Sequence, residues 1–160
     1  GDVYKRQLSL RGDSFDAASL VEKDAAAEVG IPLHFVRMRA QKLPRPEVLL
    51  EAIAKVRDLP KPLLIHCKSG ADRTGLMVTI YLHAIKGVPL DQARRALSWK
   101  YAHASWGRAG IVHTVLDAYA AAHDETGIGF EDWVATAYDP DALTQAFNDL
   151  PWYHRGPKAG

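Results

Sequence analysis

One run of ten residues brings together a thiol, a guanidinium, a carboxyl group and two hydroxyls: His66-Cys67-Lys68-Ser69-Gly70-Ala71-Asp72-Arg73-Thr74-Gly75. The apolar residues Leu63-Leu64-Ile65 lead straight into it and a helical pattern leaves it. The run is therefore expected to be a loop between a buried strand and a helix N-terminus. Such a loop aims backbone N–H groups and the positive end of the helix dipole at one point. Gly70 and Gly75 permit tight turning and close approach to an anion. Arg73 supplies a planar fork suited to two phosphate oxygens. Cys67 stands at the base of this nest, where positive potential is expected to lower the thiol pKa. A thiolate beneath a bound phosphate is aligned for in-line attack on phosphorus. A nucleotide-binding loop is a poorer reading, because the Gly-Lys-Ser/Thr that it requires is missing.

The surrounding elements must place that loop. Leu8-Ser9-Leu10 is expected as a short strand ending at Arg11-Gly12-Asp13. Phe15, Ala18, Leu20, Val21, Ala25 and Val29 mark the apolar face of a helix closed by Gly30. Residues 33–38 read as a buried strand. Pro44 and Pro46 punctuate a loop, with Pro46 suited to the first turn of a helix that puts Val48, Leu49, Ala52, Ile53 and Val56 on one face. Pro60 and Pro62 end it. Leu63-Leu64-Ile65 is the clearest buried strand, and 74–86 is helical, closed by Gly87. Beyond Pro89 the pattern predicts helices over 91–100, 109–123, 130–138 and 141–149. Alternating strands and helices imply parallel strands joined by crossover helices. The expected fold is α/β: a central, mostly parallel sheet flanked by helices, a phosphate-binding loop between a strand and a helix, and a helical C-terminal part. Ligands collect at the carboxyl ends of the strands in such sheets. The expected strands end at Arg11, Arg39 and Cys67, which puts two arginines on the edge of the thiol. Lys68 adds charge, and Lys42 and Arg45 fall on a neighbouring flap.

The pattern His-Cys-x-x-Gly-x-x-Arg-Thr-Gly resembles the signature loop of the cysteine-dependent protein tyrosine and dual-specificity phosphatases. The version here is similar to the bacterial dual-specificity group, over about residues 8–86. The resemblance implies that Cys67 is the nucleophile and that Arg73 binds the phosphate and its transition state. Thr74 would hydrogen-bond the sulfur, and His66 would hold the loop and Cys67 in place from behind. Main-chain N–H groups at Lys68, Ser69, Gly70, Ala71 and onward to Arg73 would cradle the oxygens, with no metal and no other cofactor. Members of the family usually carry an acidic residue on an earlier loop to protonate the leaving oxygen. The corresponding Arg37-Met38-Arg39-Ala40-Gln41-Lys42 has no carboxylate. Asp72 is the favoured substitute, ahead of Asp13, while Asp58 falls near the opposite end of the Leu63 strand. The implied activity is hydrolysis of phosphomonoesters on phosphotyrosine or phosphoserine-threonine proteins, or on a phosphometabolite. A rhodanese-type sulfurtransferase and a catalytically weak phosphate-binding module are the alternatives. The five residues between Cys67 and Arg73, with the Arg-Thr-Gly ending, favour the phosphatase over the sulfurtransferase.

Composition bounds the rest. The chain has 160 residues, 48% hydrophobic and 24% charged, enough for one domain with one core. Residues 8–155 are expected to form a single, N-terminally truncated catalytic domain, with 1–7 a non-native, adapter-like segment and 156–160 a tail. Lys and Arg number 20 against 19 Asp and Glu, so the net charge of +1 excludes a general nucleic-acid coat. A single cysteine excludes a disulfide framework and a Cys-rich zinc site, and fits a reducing cytoplasmic setting. No apolar run approaches the roughly 18 residues needed to span a bilayer. The expected partners are thus a phosphorylated protein or a small anionic phosphate, with no nucleic acid and no membrane span; the oligomeric state is open. His103, His113 and His123 lack the spacing of a metal site. Trp99, Tyr101 and Trp106 read as packing residues, and Arg94 and Arg95 as a solvated helix face.

Overall fold

The computed structural model describes residues 6–39, 42–68, 72–97 and 110–151. Among them, three short strands form a parallel sheet: β1 (Arg6–Ser9) in the centre, β2 (Leu33–Phe35) on one side and β3 (Leu63–His66) on the other. Parallel neighbours need crossovers. Helix α1 (Ala17–Glu28) joins β1 to β2, and α2 (Pro46–Asp58) joins β2 to β3. The register aligns Ser9 with both Phe35 and His66. Alternation along the strands sends Leu8 and Leu10, both fully buried, to the face opposite Ser9. That face carries the core, where Leu8 and Leu10 join Val36, Met38, Leu49, Ile53 and Met77.

Several elements follow the sequence pattern closely. Pro46 opens α2 in its first turn, and Leu49, Ala52, Ile53 and Val56 form its buried stripe. The C-terminal part is helical: α3 (Asp72–Ile80), a wider π turn (Tyr81–Ile85), α4 (Leu90–Ala93), a 3-10 turn (Arg94–Ala96), α5 (Ile111–Thr126), α6 (Phe130–Thr136) and α7 (Pro140–Asp149). Tyr119, Phe130 and Trp133 pack edge-on or tilted with centroids 4.8–5.7 Å apart, which locks α5 to α6. The Tyr138 hydroxyl donates to the Pro44 carbonyl at 2.8 Å and is buried there, which pushes its pKa up. This bond ties the loop ahead of α2 to the helical layer.

Helix α1 departs from expectation. The residues expected as its core face point outward, with Phe15 86% and Val21 68% exposed and Leu20 and Val29 exposed as well. Ser19 and Ala26 are buried instead. The reason is polar. The Asp16 carboxylate caps the helix by accepting from the Ser14 hydroxyl and from the Ser19 backbone N–H, bonds that hold its pKa well below the usual carboxylate range. Lys23 then pairs with Asp13 and lies over the Phe35 ring, while Glu22 reaches His66. These contacts fix which side of α1 meets the sheet, and the apolar residues are left outside.

Other differences are local. The central strand begins at Arg6, earlier than the Leu8-Ser9-Leu10 pattern suggests. β2 stops at Phe35, after which Arg37 makes an isolated antiparallel bridge to Arg11. The crossing leaves no room at Gly12, which has a φ of 81° and where an added Cβ would lie 2.7 Å from the Arg37 side chain. The helix expected over 74–86 widens at Tyr81. There His83 Nδ1 is 2.9 Å from the Val88 carbonyl and Nε2 is 3.0 Å from the Tyr119 hydroxyl, so side-chain bonds hold the wider turn. Gly87, at a φ of 70°, closes it. The helix expected from residue 91 is α-helical only to Ala93 and tightens into the 3-10 turn. Arg94 is not merely solvated, because it pairs with Asp117 of α5 at 2.5 Å. Residues 98–109, with Trp99, Tyr101, His103 and Trp106, lie outside the described residues. Among the described residues no helix is long and apolar enough to cross a membrane.

Candidate active site

β3 carries the chain to the carboxyl edge of the sheet and ends at His66. Its position is fixed from the main chain, since the Leu10 N–H donates to the His66 carbonyl at 2.9 Å. Strand alternation turns Ile65 and Cys67 toward the core and His66 toward α1. Cys67 is accordingly 8% exposed and packs in the core cluster. Lys68 is exposed, and α3 begins at Asp72. Ser69, Gly70 and Ala71 lie outside the described residues. The positive end of the α3 dipole thus lies at Asp72, five residues after Cys67.

The first turn of α3 carries Asp72, Arg73 and Thr74. Arg73 Nη1 donates to the Met38 carbonyl at 2.9 Å, which ties the start of α3 to the chain leaving β2. Thr74 Oγ1 is sealed from solvent and has no hydrogen-bond partner among the described residues. Gly75 does not shape the turn, because it lies within α3. There an added Cβ would come 2.7 Å from Leu97 Cδ2, so its missing side chain makes space for helix packing.

Behind Cys67, His66 Nε2 lies 2.7 Å from Glu22 Oε1. The pair is a close contact and not a well-aligned hydrogen bond. No sequence signal marks Glu22. It sits between apolar positions of a helix whose inner face the periodicity misplaces.

Arg11 and Arg39 follow β1 and β2 on the edge that Cys67 shares. Arg11 is engaged there: its Nη2 is 3.1 Å from Asp16 Oδ1. Arg39 is exposed, as are Arg37, Lys42, Arg45 and Lys68, and none of these has a carboxylate partner among the described residues. Asp13, the second candidate acid, pairs with Lys23. A cavity of about 440 Å³ lined by His83, Tyr119, Phe130 and Glu131 shares no residue with the 66–75 run and is a separate feature. Among the described residues no three His, Cys, Asp or Glu side chains gather as a metal site.

A strand-end cysteine, with an arginine in the first turn of the next helix, is the geometry in which the comparisons with known proteins bear most directly. The tyrosine phosphatase family matches residues 13–141. The chain belongs to the tyrosine phosphatase family. The match runs past Lys86 and takes in α5 and α6. Among solved structures, the core catalytic domain of the PP-IP phosphatase SIW14 from S. cerevisiae, in complex with citrate, aligns at a TM-score of 0.51. It is 19% identical and covers 94% of this chain and 77% of its own. Tk-PTP in its active form is 21% identical, with 72% and 80% covered and a TM-score of 0.49. The likeness to SIW14 is one of fold. Among curated proteins none matches this sequence.

Proposed function

We propose that this member of the tyrosine phosphatase family hydrolyses phosphomonoesters through a phosphocysteine at Cys67. The observation that carries the reading is the pairing of a buried cysteine at the carboxyl end of β3 with Arg73 in the first turn of α3. In the first step the Cys67 thiolate attacks phosphorus, an S–P bond forms, and the bond to the leaving oxygen breaks as that oxygen takes a proton. In the second step water attacks phosphorus, loses its proton to a base, and the S–P bond breaks to release phosphate and thiolate. Arg73 and the N–H groups from Lys68 to Arg73 hold the phosphoryl oxygens as charge redistributes. The buried Thr74 hydroxyl, without a hydrogen-bond partner among the described residues, is suited to donate to the departing sulfur. His66 holds Cys67 from behind. The protein needs no metal and no other cofactor for these steps.

Substrate choice follows from charge. Arg37, Arg39, Lys42, Arg45 and Lys68 rim the carboxyl edge of the sheet, while Arg11 contributes less because Asp16 compensates it. This favours multiply anionic substrates, on proteins or on a phosphometabolite, and accommodates dual specificity. The test is a panel of phosphoamino-acid peptides, an aryl phosphate and multiply phosphorylated small molecules, assayed in the presence of a chelator. Phosphate release is expected from the panel, fastest with the most anionic members, with that preference shrinking between low and high salt. Thiosulfate-to-cyanide transfer without phosphate release would instead support the sulfurtransferase.

Asp72 is proposed as the proton-transfer residue. It opens α3 beside Arg73, whereas Asp13 is engaged by Lys23. Asp72→Asn is expected to slow turnover of poor leaving groups by roughly 10²-fold if it protonates the leaving oxygen. If it serves the second step alone, phosphocysteine accumulates and appears in the intact mass. A variant with neither change removes Asp72 from both steps.

A further inference from the structure

Helix α1 turns a polar side to the sheet, and one residue of that side reaches the strand end from which Cys67 emerges. The Glu22 and His66 side chains are 20% and 23% exposed and meet at 2.7 Å. Resting on the reading of Cys67 as nucleophile, we propose that Glu22 is a positioning residue for Cys67, acting through His66. Its carboxylate packs against the imidazole and favours the protonated ring next to Cys67 in the chain.

Both partners are held independently of each other. The main chain of His66 is fixed by its register with Ser9 and by the Leu10 N–H, so the ring is its remaining freedom. Glu22 is placed by the Asp16 cap at the start of α1 and by its neighbour Lys23, which pairs with Asp13, donates to the Ser14 carbonyl at 3.2 Å and stacks over Phe35. The orientation that brings Glu22 onto His66 is the one that leaves Leu20 and Val21 in solvent. An apolar-driven helix would have turned the other way.

The electrostatic sign follows from the order of the groups. His66 is the chain neighbour of Cys67, whereas Glu22 meets the imidazole from α1. When the imidazole carries a proton, the positive member of the pair is the one next to Cys67 in the chain, and its charge favours the thiolate. The other charges near His66 on the α1 side have partners of their own: Lys23 with Asp13, and Arg11 with Asp16. Beyond Cys67 the chain carries Lys68, Asp72 and Arg73, which a change at Glu22 leaves in place.

The single cysteine makes the test direct, because alkylation by iodoacetamide reads Cys67 alone in any variant. The pH at which alkylation is half-maximal is expected to rise by roughly 0.5–1 unit in Glu22→Gln, and to stay at the wild-type value in Glu28→Gln on the exposed side of the same helix. In a His66→Asn background, Glu22→Gln is expected to add no further shift. Turnover by Glu22→Gln below neutral pH is expected to fall several-fold in kcat with KM unchanged. Glu22→Asp keeps the charge but shortens the reach by one methylene, and is expected to give part of the shift. An unmoved midpoint in whichever Glu22 variant keeps the native circular dichroism overturns the proposal, as does an equal shift in the His66→Asn background. A shifted midpoint in a protein that releases no phosphate from any substrate would sustain the role of Glu22 and overturn the phosphatase reading alone.

Discussion

Cys67→Ser is expected to reduce phosphate release by at least about three orders of magnitude across the substrate panel. The substitution exchanges one atom. A serine hydroxyl is not ionised at neutral pH, whereas a thiol ionises several pH units lower and is the stronger nucleophile. Nothing else in the chain replaces it, since Cys67 is the only thiol. The side chain is 8% exposed against the core cluster, and serine is slightly smaller, so the fold should tolerate the change. Circular dichroism and a thermal melt check that. Inorganic phosphate should still inhibit or bind, because Arg73 and every main-chain N–H of the run remain. Mass spectrometry of quenched wild-type reactions should show a phosphoryl adduct on Cys67 that the variant lacks. Undiminished hydrolysis by Cys67→Ser would remove the nucleophile assignment outright.

The sequence made some parts of this arrangement legible and hid others for identifiable reasons. α2 was readable because Leu49, Ala52, Ile53 and Val56 have one helical spacing and one burial environment. β3 was readable because Leu63-Leu64-Ile65 is continuous and apolar. The order of strands and helices was enough for the parallel sheet. α1 was not readable, since its orientation is decided by Asp16, Glu22 and Lys23, whose partners at Ser14, His66, Asp13 and Phe35 come from other elements. Periodicity weighs apolar residues and cannot weigh such partners. The π turn at Tyr81 escaped for a similar reason: His83 bonds a residue thirty-six positions away, Tyr119. Within the site, the residue types of the 66–75 run carried the chemistry. That Arg73 leans on the main chain of Met38 had no signal at all, because a carbonyl acceptor is the same in every residue.

That last contact shapes what losing Arg73 should do. Arg73→Ala is expected to cost roughly 10³-fold in kcat/KM, most of it in kcat, because the guanidinium matters most while charge redistributes over the phosphoryl oxygens. Arg73 Nη1 is engaged by the Met38 carbonyl at 2.9 Å, which fixes the plane of the fork and leaves its other donors for the oxygens. Arg73→Lys keeps the positive charge but not the plane. An ammonium is a point charge that cannot lean on Met38 and span two oxygens together. It is expected to recover only part of the loss, with activity roughly 10²-fold below wild type. If charge alone mattered, lysine would recover nearly all of it. Because the same bond joins the start of α3 to the chain leaving β2, thermal melts of both variants separate a loosened fold from a lost clamp. A folded Arg73→Ala protein with kcat/KM within about tenfold of wild type would mean that the oxygens are held by backbone N–H groups without the arginine.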